Sequence, residues 1–154
     1  MLVDPEIPQN TGNIARLCGA TSSPLHLVGR LGFRIDEKSV RRAGVDYWHL
    51  VKIEQHLSLA HFQNAHPTAR LRLFTAVAKK SIFDEVFEPG DALVFGKESS
   101  GLDDELLAAH PDSCIAIPTL GAVRSLNLAN AAGIALFEAL RQVGAFSKTF
   151  LEGT

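Results

Sequence analysis

The most constraining feature of this chain is the stretch from Cys114 to Arg141. It opens on the short run Ile115-Ala116-Ile117, expected to be a buried strand. Pro118 ends that strand, because proline donates no ladder hydrogen bond. A polar loop runs from Thr119 to Ser125, and an apolar-periodic segment then predicts a helix over Leu128–Val143. Beyond Asn130, Glu138, Arg141 and Gln142 that helix is apolar nearly all round, and such a helix must be buried on more than one side. A core on one side and a partner subunit on the other would satisfy it. Glu138, Arg141 and Gln142 share one face by their i, i+3, i+4 spacing. Strand, loop and helix in this order are also how α/β proteins present backbone amides to a ligand. Arg124, Ser125 and Asn127 sit in that loop or at its end.

The rest of the chain alternates in the same way. Leu2-Val3 is the stub of a strand, and Asn10 to Thr21 reads as a helix with Asn10 or Thr11 as N-cap. Strands are expected at Leu25–Val28, Leu50–Ile53, Leu71–Val77 and Ala92–Phe95. Helices are expected from Asp36 to Arg42, from Ser58 to Ala65 and from Asp103 to about His110; Ser81–Phe87 is ambiguous, and Pro89-Gly90-Asp91 is a turn. This alternation argues for an α/β domain with a mostly parallel sheet and helices on both faces. At 154 residues without linker or repeat, one domain over 1–154 is the expectation.

Composition excludes little else. Hydrophobic residues make up 46% and charged residues 21%, ordinary for a globular protein. No apolar run reaches the roughly 20 residues that span a bilayer, and the first residues lack a signal-like basic and apolar pattern. Cys18 and Cys114 have neither metal nor redox spacing, so a cytoplasmic protein without a membrane partner is expected. His56, His61 and His66 are five apart and share no helix face, so no metal is expected. A net charge of −2 leaves nucleic-acid binding to local patches. The run Arg30, Arg34, Lys38, Arg41, Arg42 and the pair Lys79-Lys80 are candidates for phosphate contacts; they can equally be solvated faces. Tyr47 and Trp48 can stack on a base or pack internally.

Three stretches gather polar side chains at strand ends or helix starts. They are Pro5-Glu6-Ile7-Pro8-Gln9-Asn10-Thr11-Gly12-Asn13-Ile14-Ala15-Arg16, Phe95-Gly96-Lys97-Glu98-Ser99-Ser100-Gly101, and Ile117-Pro118 followed by Arg124-Ser125-Leu126-Asn127-Leu128-Ala129-Asn130. Gly96-Lys97 is not a phosphate-binding Walker loop: Asp91 stands where that motif needs glycine, and Glu98 where it needs Ser or Thr. No Gly-x-Gly-x-x-Gly follows a strand.

With Arg41-Arg42-Ala43-Gly44-Val45-Asp46-Tyr47, these stretches resemble the SPOUT class of RNA methyltransferases over nearly the whole chain. More narrowly they resemble the TrmL family, tRNA (cytidine/uridine) 2′-O-methyltransferases of the wobble nucleotide. The resemblance implies a C-terminal trefoil knot, S-adenosylmethionine as methyl donor, tRNA as substrate, and a homodimer formed through the C-terminal helix and the N-terminal motif helix. By matching positions it implies cofactor contacts at Ala76, Gly96, Ile117 and Ser125, and catalytic roles for Arg16, Glu98, Ser125, Asn127 and Asn10. A guanidinium stays protonated, so Arg16 suits electrostatic stabilisation better than proton abstraction. Each residue has a plainer reading too. Asn10 can cap a helix, Arg16 can be a surface arginine, Glu98 can bind backbone amides, and Asn127 and Asn130 can cap and pack the last helix. A ribosomal RNA methyltransferase and a non-catalytic RNA-binding module are the alternatives. Two departures from the family stand out. The strand before Pro5 is short, which reads as a clipped strand or a late start, and Ser100 stands where relatives often carry a basic residue.

Overall fold

The computed structural model describes residues 1–33 and 50–146. The expected helix over Asp36–Arg42, together with Arg34, Lys38, Arg41, Arg42, Tyr47 and Trp48, lies outside the described residues. In chain order the elements are β1 (Leu2–Val3), α1 (Pro8–Ala20), β2 (Leu25–Val28), β3 (Ile53–His56), α2 (Leu59–Ala65), β4 (Leu71–Phe74), β5 (Ala92–Val94), α3 (Asp104–Ala109), β6 (Cys114–Ile115) and α4 (Leu128–Gln142). Short 3-10 turns sit at Ile82–Asp84 and Pro111–Ser113.

Among the described residues, neighbouring strands all pair in parallel. β1, β2 and β3 form one three-stranded sheet in the order β1-β2-β3, and β5, β4 and β6 form another in the order β5-β4-β6. Among the described residues a bridge between Leu2 and Phe95 joins them, with Val3 N–H donating to Phe95 O at 2.8 Å, Phe95 N–H to Met1 O at 3.1 Å and the Met1 amino group to Leu93 O at 2.8 Å. The combined order is therefore β3-β2-β1-β5-β4-β6.

Strand side chains alternate between two apolar clusters. Leu25, Leu27, Phe74, Phe95 and Ile115 face the cluster that holds Ile14, Ala15 and Cys18 of α1 and Ala132 and Ala135 of α4. Val28, Leu71, Leu73 and Val94 face the other, with Phe62 of α2 and Leu106 and Leu107 of α3. Helices thus cover both faces, as a parallel sheet requires. Fully buried side chains such as Leu27, Leu73 and Ile115 each contribute roughly 1.5–3 kcal/mol relative to exposure.

Several element boundaries differ from the sequence reading. The third strand runs over Ile53–His56 and not Leu50–Ile53: Leu50 is exposed, and Leu25 pairs with Ile53. β4 stops at Phe74, because the chain turns at Thr75, whose carbonyl accepts from Ala78 N–H. β6 stops at Ile115; Ala116 makes only an isolated bridge to Ser81. α1 begins at Pro8, with Ile7 as N-cap, so Asn10 and Thr11 are not caps. Proline at the first helical position is pre-set for the turn and lacks only an N–H that would be unpaired there anyway. Asn10 and Thr11 are instead buried inside the first turn of the helix.

Candidate active site

The three polar stretches meet at the C-terminal edge of the sheet. β1 leads into the first, β5 into the second, and the loop after β6 into the third. The central acceptor is Glu98. Its Oε2 accepts from Glu6 N–H at 2.8 Å, and its Oε1 from Ile7 N–H at 3.2 Å and from Asn10 Nδ2 at 3.0 Å. Asn10 Oδ1 in turn accepts from Asn127 Nδ2 at 3.0 Å. Asn127 Oδ1 caps α4, accepting from the amides of Ala129 at 2.9 Å and Asn130 at 3.3 Å. One relay of hydrogen bonds therefore joins residues far apart in sequence, Glu98 to Asn10 to Asn127.

This geometry revises individual roles. Glu98 does bind backbone amides, but those of the N-terminal motif, not those of its own turn. With three donors on its carboxylate it is a positioning group for the start of α1. Glu6, given no role by sequence reasoning, returns the contact: its carboxylate accepts from Ser99 N–H and Ser99 Oγ, both at 3.0 Å. The signal was available in the paired acidic residues of two motifs whose strands become neighbours. Asn127 is the N-cap that the sequence allowed, and such a cap contributes about 1 kcal/mol.

Gly96 is buried, and a Cβ there would collide with the Gly101 carbonyl and Leu102 N. The loop folds back on itself, with Lys97 N–H donating to Gly101 O at 3.0 Å and Gly101 N–H to Lys97 O at 2.8 Å. The close approach that demands glycine is thus made by the loop's own backbone. Ala76 follows β4, Gly96 follows β5, and Ile117 follows β6, so all three lie beyond the C-terminal ends of neighbouring strands. Ala76 and Ser125 are exposed and Ile117 is half-buried against the core. Among the described residues, the backbone amides of Ile117 and of Thr119 to Leu126 donate to no protein acceptor. Arg16 is exposed on α1, while Asn10, Ile14, Ala15 and Cys18 of that helix are buried. Arg30, Lys79 and Lys80 are exposed, but Lys80 Nζ pairs with Glu85 at 2.8 Å.

A second polar group lies elsewhere, and sequence reasoning missed it. His26, Glu54, His56 and His66 converge, although His61 takes no part. Helix spacing was the wrong test, since two of these residues alternate along a strand. Burial holds the His26 imidazole down at about 4, and the Lys52 ammonium, hydrogen-bonded to Glu54, holds that carboxyl at about 2.

The sequence profile described as the SpoU rRNA Methylase family matches residues 1–137. A Burkholderia pseudomallei protein named tRNA (cytidine(34)-2′-O)-methyltransferase is 42% identical over 147 residues, covering 94% of each chain. A solved structure described as giving structural insights into the 2-OH methylation of C/U34 on tRNA superposes with a TM-score of 0.85 at 48% identity, covering 92% of each chain. The SpoU methyltransferase AviRb from Streptomyces viridochromogenes, solved in complex with AdoMet, superposes with a TM-score of 0.75 at 26% identity, over 92% of this chain and 56% of that one. With its parallel sheet, its three motifs at one edge and a profile match over most of its length, the chain belongs to the SpoU rRNA Methylase family.

Proposed function

We propose that this protein transfers a methyl group from S-adenosylmethionine to the ribose 2′-hydroxyl of the wobble cytidine or uridine of tRNA. The observation that carries the reading is the Glu98–Asn10–Asn127 relay, which fixes all three motifs around one point. Identity of 42% and 48% to proteins described for this reaction, over more than nine-tenths of the chain, supports the substrate.

The site fits the cofactor. The loop from Ile117 to Leu126 offers uncommitted backbone amides, and the ends of β4, β5 and β6 form one edge where Ala76, Gly96 and Ile117 can line an adenosyl pocket. When bound, S-adenosylmethionine supplies an activated methyl group whose leaving sulfide is neutral. The protein's task is to align the 2′-hydroxyl and stabilise the oxygen as it loses its proton. Asn127, anchored to Asn10, holds the start of α4, and Ser125, two residues before it, faces solvent where a ribose or cofactor hydroxyl can bond it. Arg16, exposed and permanently charged, stabilises the developing alkoxide and holds the adjoining phosphate. Glu98 positions; the proton passes to the substrate phosphate or to water.

The protein acts as a homodimer through α1 and α4 in this reading. Ile134 and Phe137 stay exposed on α4, and Phe137 stacks on Phe146 with centroids 5.4 Å apart. A C-terminal trefoil knot agrees with β6 lying beside β4 while Ala116, just beyond it, pairs with Ser81 in the loop after β4. Arg30 and Lys79 would track phosphates, in a single domain working in the cytoplasm where tRNA resides. No described helix is long and apolar enough to cross a membrane.

Nucleoside mass spectrometry of tRNA from cells with and without the gene tests the function. Loss of 2′-O-methylated nucleoside from position 34 is expected. An unchanged position 34 with a loss in ribosomal RNA would replace the substrate.

A further inference from the structure

The imidazole cluster sits on the α2 face of the first sheet, apart from the three motifs. Pairing register sets His26 of β2 opposite Glu54 of β3, and His56 follows Glu54 by two residues, so all three project to one face. α2 then runs back over that face and delivers His66 from its C-terminal end. Phe62 packs against all three rings, with centroids 5.0 Å from His26, 5.3 Å from His56 and 4.8 Å from His66.

The four donor atoms lie within 4.8 Å of one another. His26 Nδ1 is 3.0 Å from His56 Nε2 and 3.7 Å from Glu54 Oε2. Glu54 Oε2 is 3.9 Å from His56 Nε2 and 3.2 Å from His66 Nε2. Ligands bonded tetrahedrally at about 2.0–2.1 Å stand about 3.3–3.4 Å apart, and the four separations bracket that edge. Lys52 Nζ takes Glu54 Oε1 at 2.8 Å, which leaves Oε2 turned to the cluster and fixes the carboxylate. His56 is buried, and its Nδ1 has no partner among the described residues, so its polar anchor is Nε2, inside the cluster.

We propose that His26, Glu54, His56 and His66 form a closed four-ligand site for a divalent metal ion of the zinc type, which pins β2, β3 and α2 together. Three imidazole nitrogens and one carboxylate oxygen are a zinc-class donor set, and four protein ligands leave no open position for chemistry. The ion is therefore structural. The proposal is independent of the methyl-transfer reading.

The test uses the untagged full-length protein, stripped with a chelator and titrated with Zn²⁺ by calorimetry and with Co²⁺ in the visible range. Expected are one saturable equivalent, the d–d absorption of tetrahedral Co²⁺, and a rise in melting temperature with Zn²⁺. His66→Ala, at a partly exposed helix end, should weaken Zn²⁺ binding by more than about 100-fold, the upper end for losing even an outer-shell partner. His61→Ala, beside the cluster but outside it, should leave binding unchanged. Failure of the wild-type protein to take up one equivalent overturns the proposal, as does unchanged affinity in a folded His66→Ala. A thiolate charge-transfer band would put the ion on Cys18 or Cys114 and overturn it too. If His66→Ala does not fold, wild-type stoichiometry and the Co²⁺ spectrum decide alone.

Discussion

At the scale of single residues, three polar side chains of the candidate site hold its scaffold. Glu98, Asn10 and Asn127 are consumed by one another and by backbone amides. Arg16 lies exposed on α1 and, in the proposed reaction, meets the substrate. Arg16→Ala should therefore lower the methylation rate by about 10²–10³-fold, the range for losing one transition-state donor, while the dissociation constant for S-adenosylmethionine stays unchanged in calorimetry. Equal losses in both would place Arg16 on the cofactor. Gly96→Ala is different, because the new methyl group meets the Gly101 carbonyl and Leu102 N within its own loop. The forced backbone shift should cost about 1–3 kcal/mol in urea denaturation, and with it the placement of Glu98. Undiminished stability would show that the loop relaxes freely.

At the scale of elements, α4 was the most legible part of the chain. Its apolar circumference and the Glu138–Arg141–Gln142 face were both readable, and the structure joins that face: Arg141 donates to Glu138 at 2.8 and 2.9 Å, and Gln142 Nε2 donates to Glu138 at 2.8 Å. Gln142 also reaches the Phe87 amide and the Glu85 carbonyl, tying α4 to the segment before β5. The Arg141 guanidinium, then Gln142, hold the Glu138 carboxyl at about 2. A depressed carboxyl contributes stability above its ordinary value of about 4.5, and that contribution is lost as pH falls from there toward 2. Arg141 is mostly exposed, so solvent screens the pair and the contribution is small. Glu138→Gln should slightly shrink the stability difference between pH 6 and pH 3 in thermal or urea melts; an identical pH profile would show that the pair contributes nothing. What the sequence hid were boundaries and partners. Leu50-Val51-Lys52-Ile53 looks like a strand by hydropathy, yet register with β2 selects Ile53–His56. Asn10 looks like a cap by type, yet Pro8 starts the helix earlier and turns Asn10 inward. The Glu98–Asn10–Asn127 relay and the histidine cluster depend on which strands become neighbours, and local periodicity does not carry that information.

At the scale of the whole molecule, helices cover both faces of the sheet and α4 still carries exposed apolar side chains. α1 and α4 pack on one face of the sheet, yet α4 still exposes Ile134 and Phe137. In the proposed dimer these side chains are buried by the partner. Phe137→Asp should convert the dimer to a monomer in analytical ultracentrifugation while the circular dichroism spectrum is kept. A dimer that persists would move the interface elsewhere.

Among the described residues the two halves of the sheet meet where β1 lies beside β5, at Met1, Leu2 and Phe95, and the candidate active site sits directly above that seam: β1 runs into Glu6, and β5 into Glu98. Main-chain bonds from Val3 to Phe95, from Phe95 to Met1 and from the Met1 amino group to Leu93 zip the halves below, and the crossed Glu6–Ser99 and Glu98–Ile7 contacts latch them above. A fluctuation that parts the halves would break both together, so the site can be lost as a unit before either half melts. Amide hydrogen exchange at Val3 and Phe95 would then track the loss of activity in dilute denaturant, while Leu27 and Leu73, inside each half, remain protected. If all four amides exchanged together with global unfolding, the seam would be as cooperative as the core.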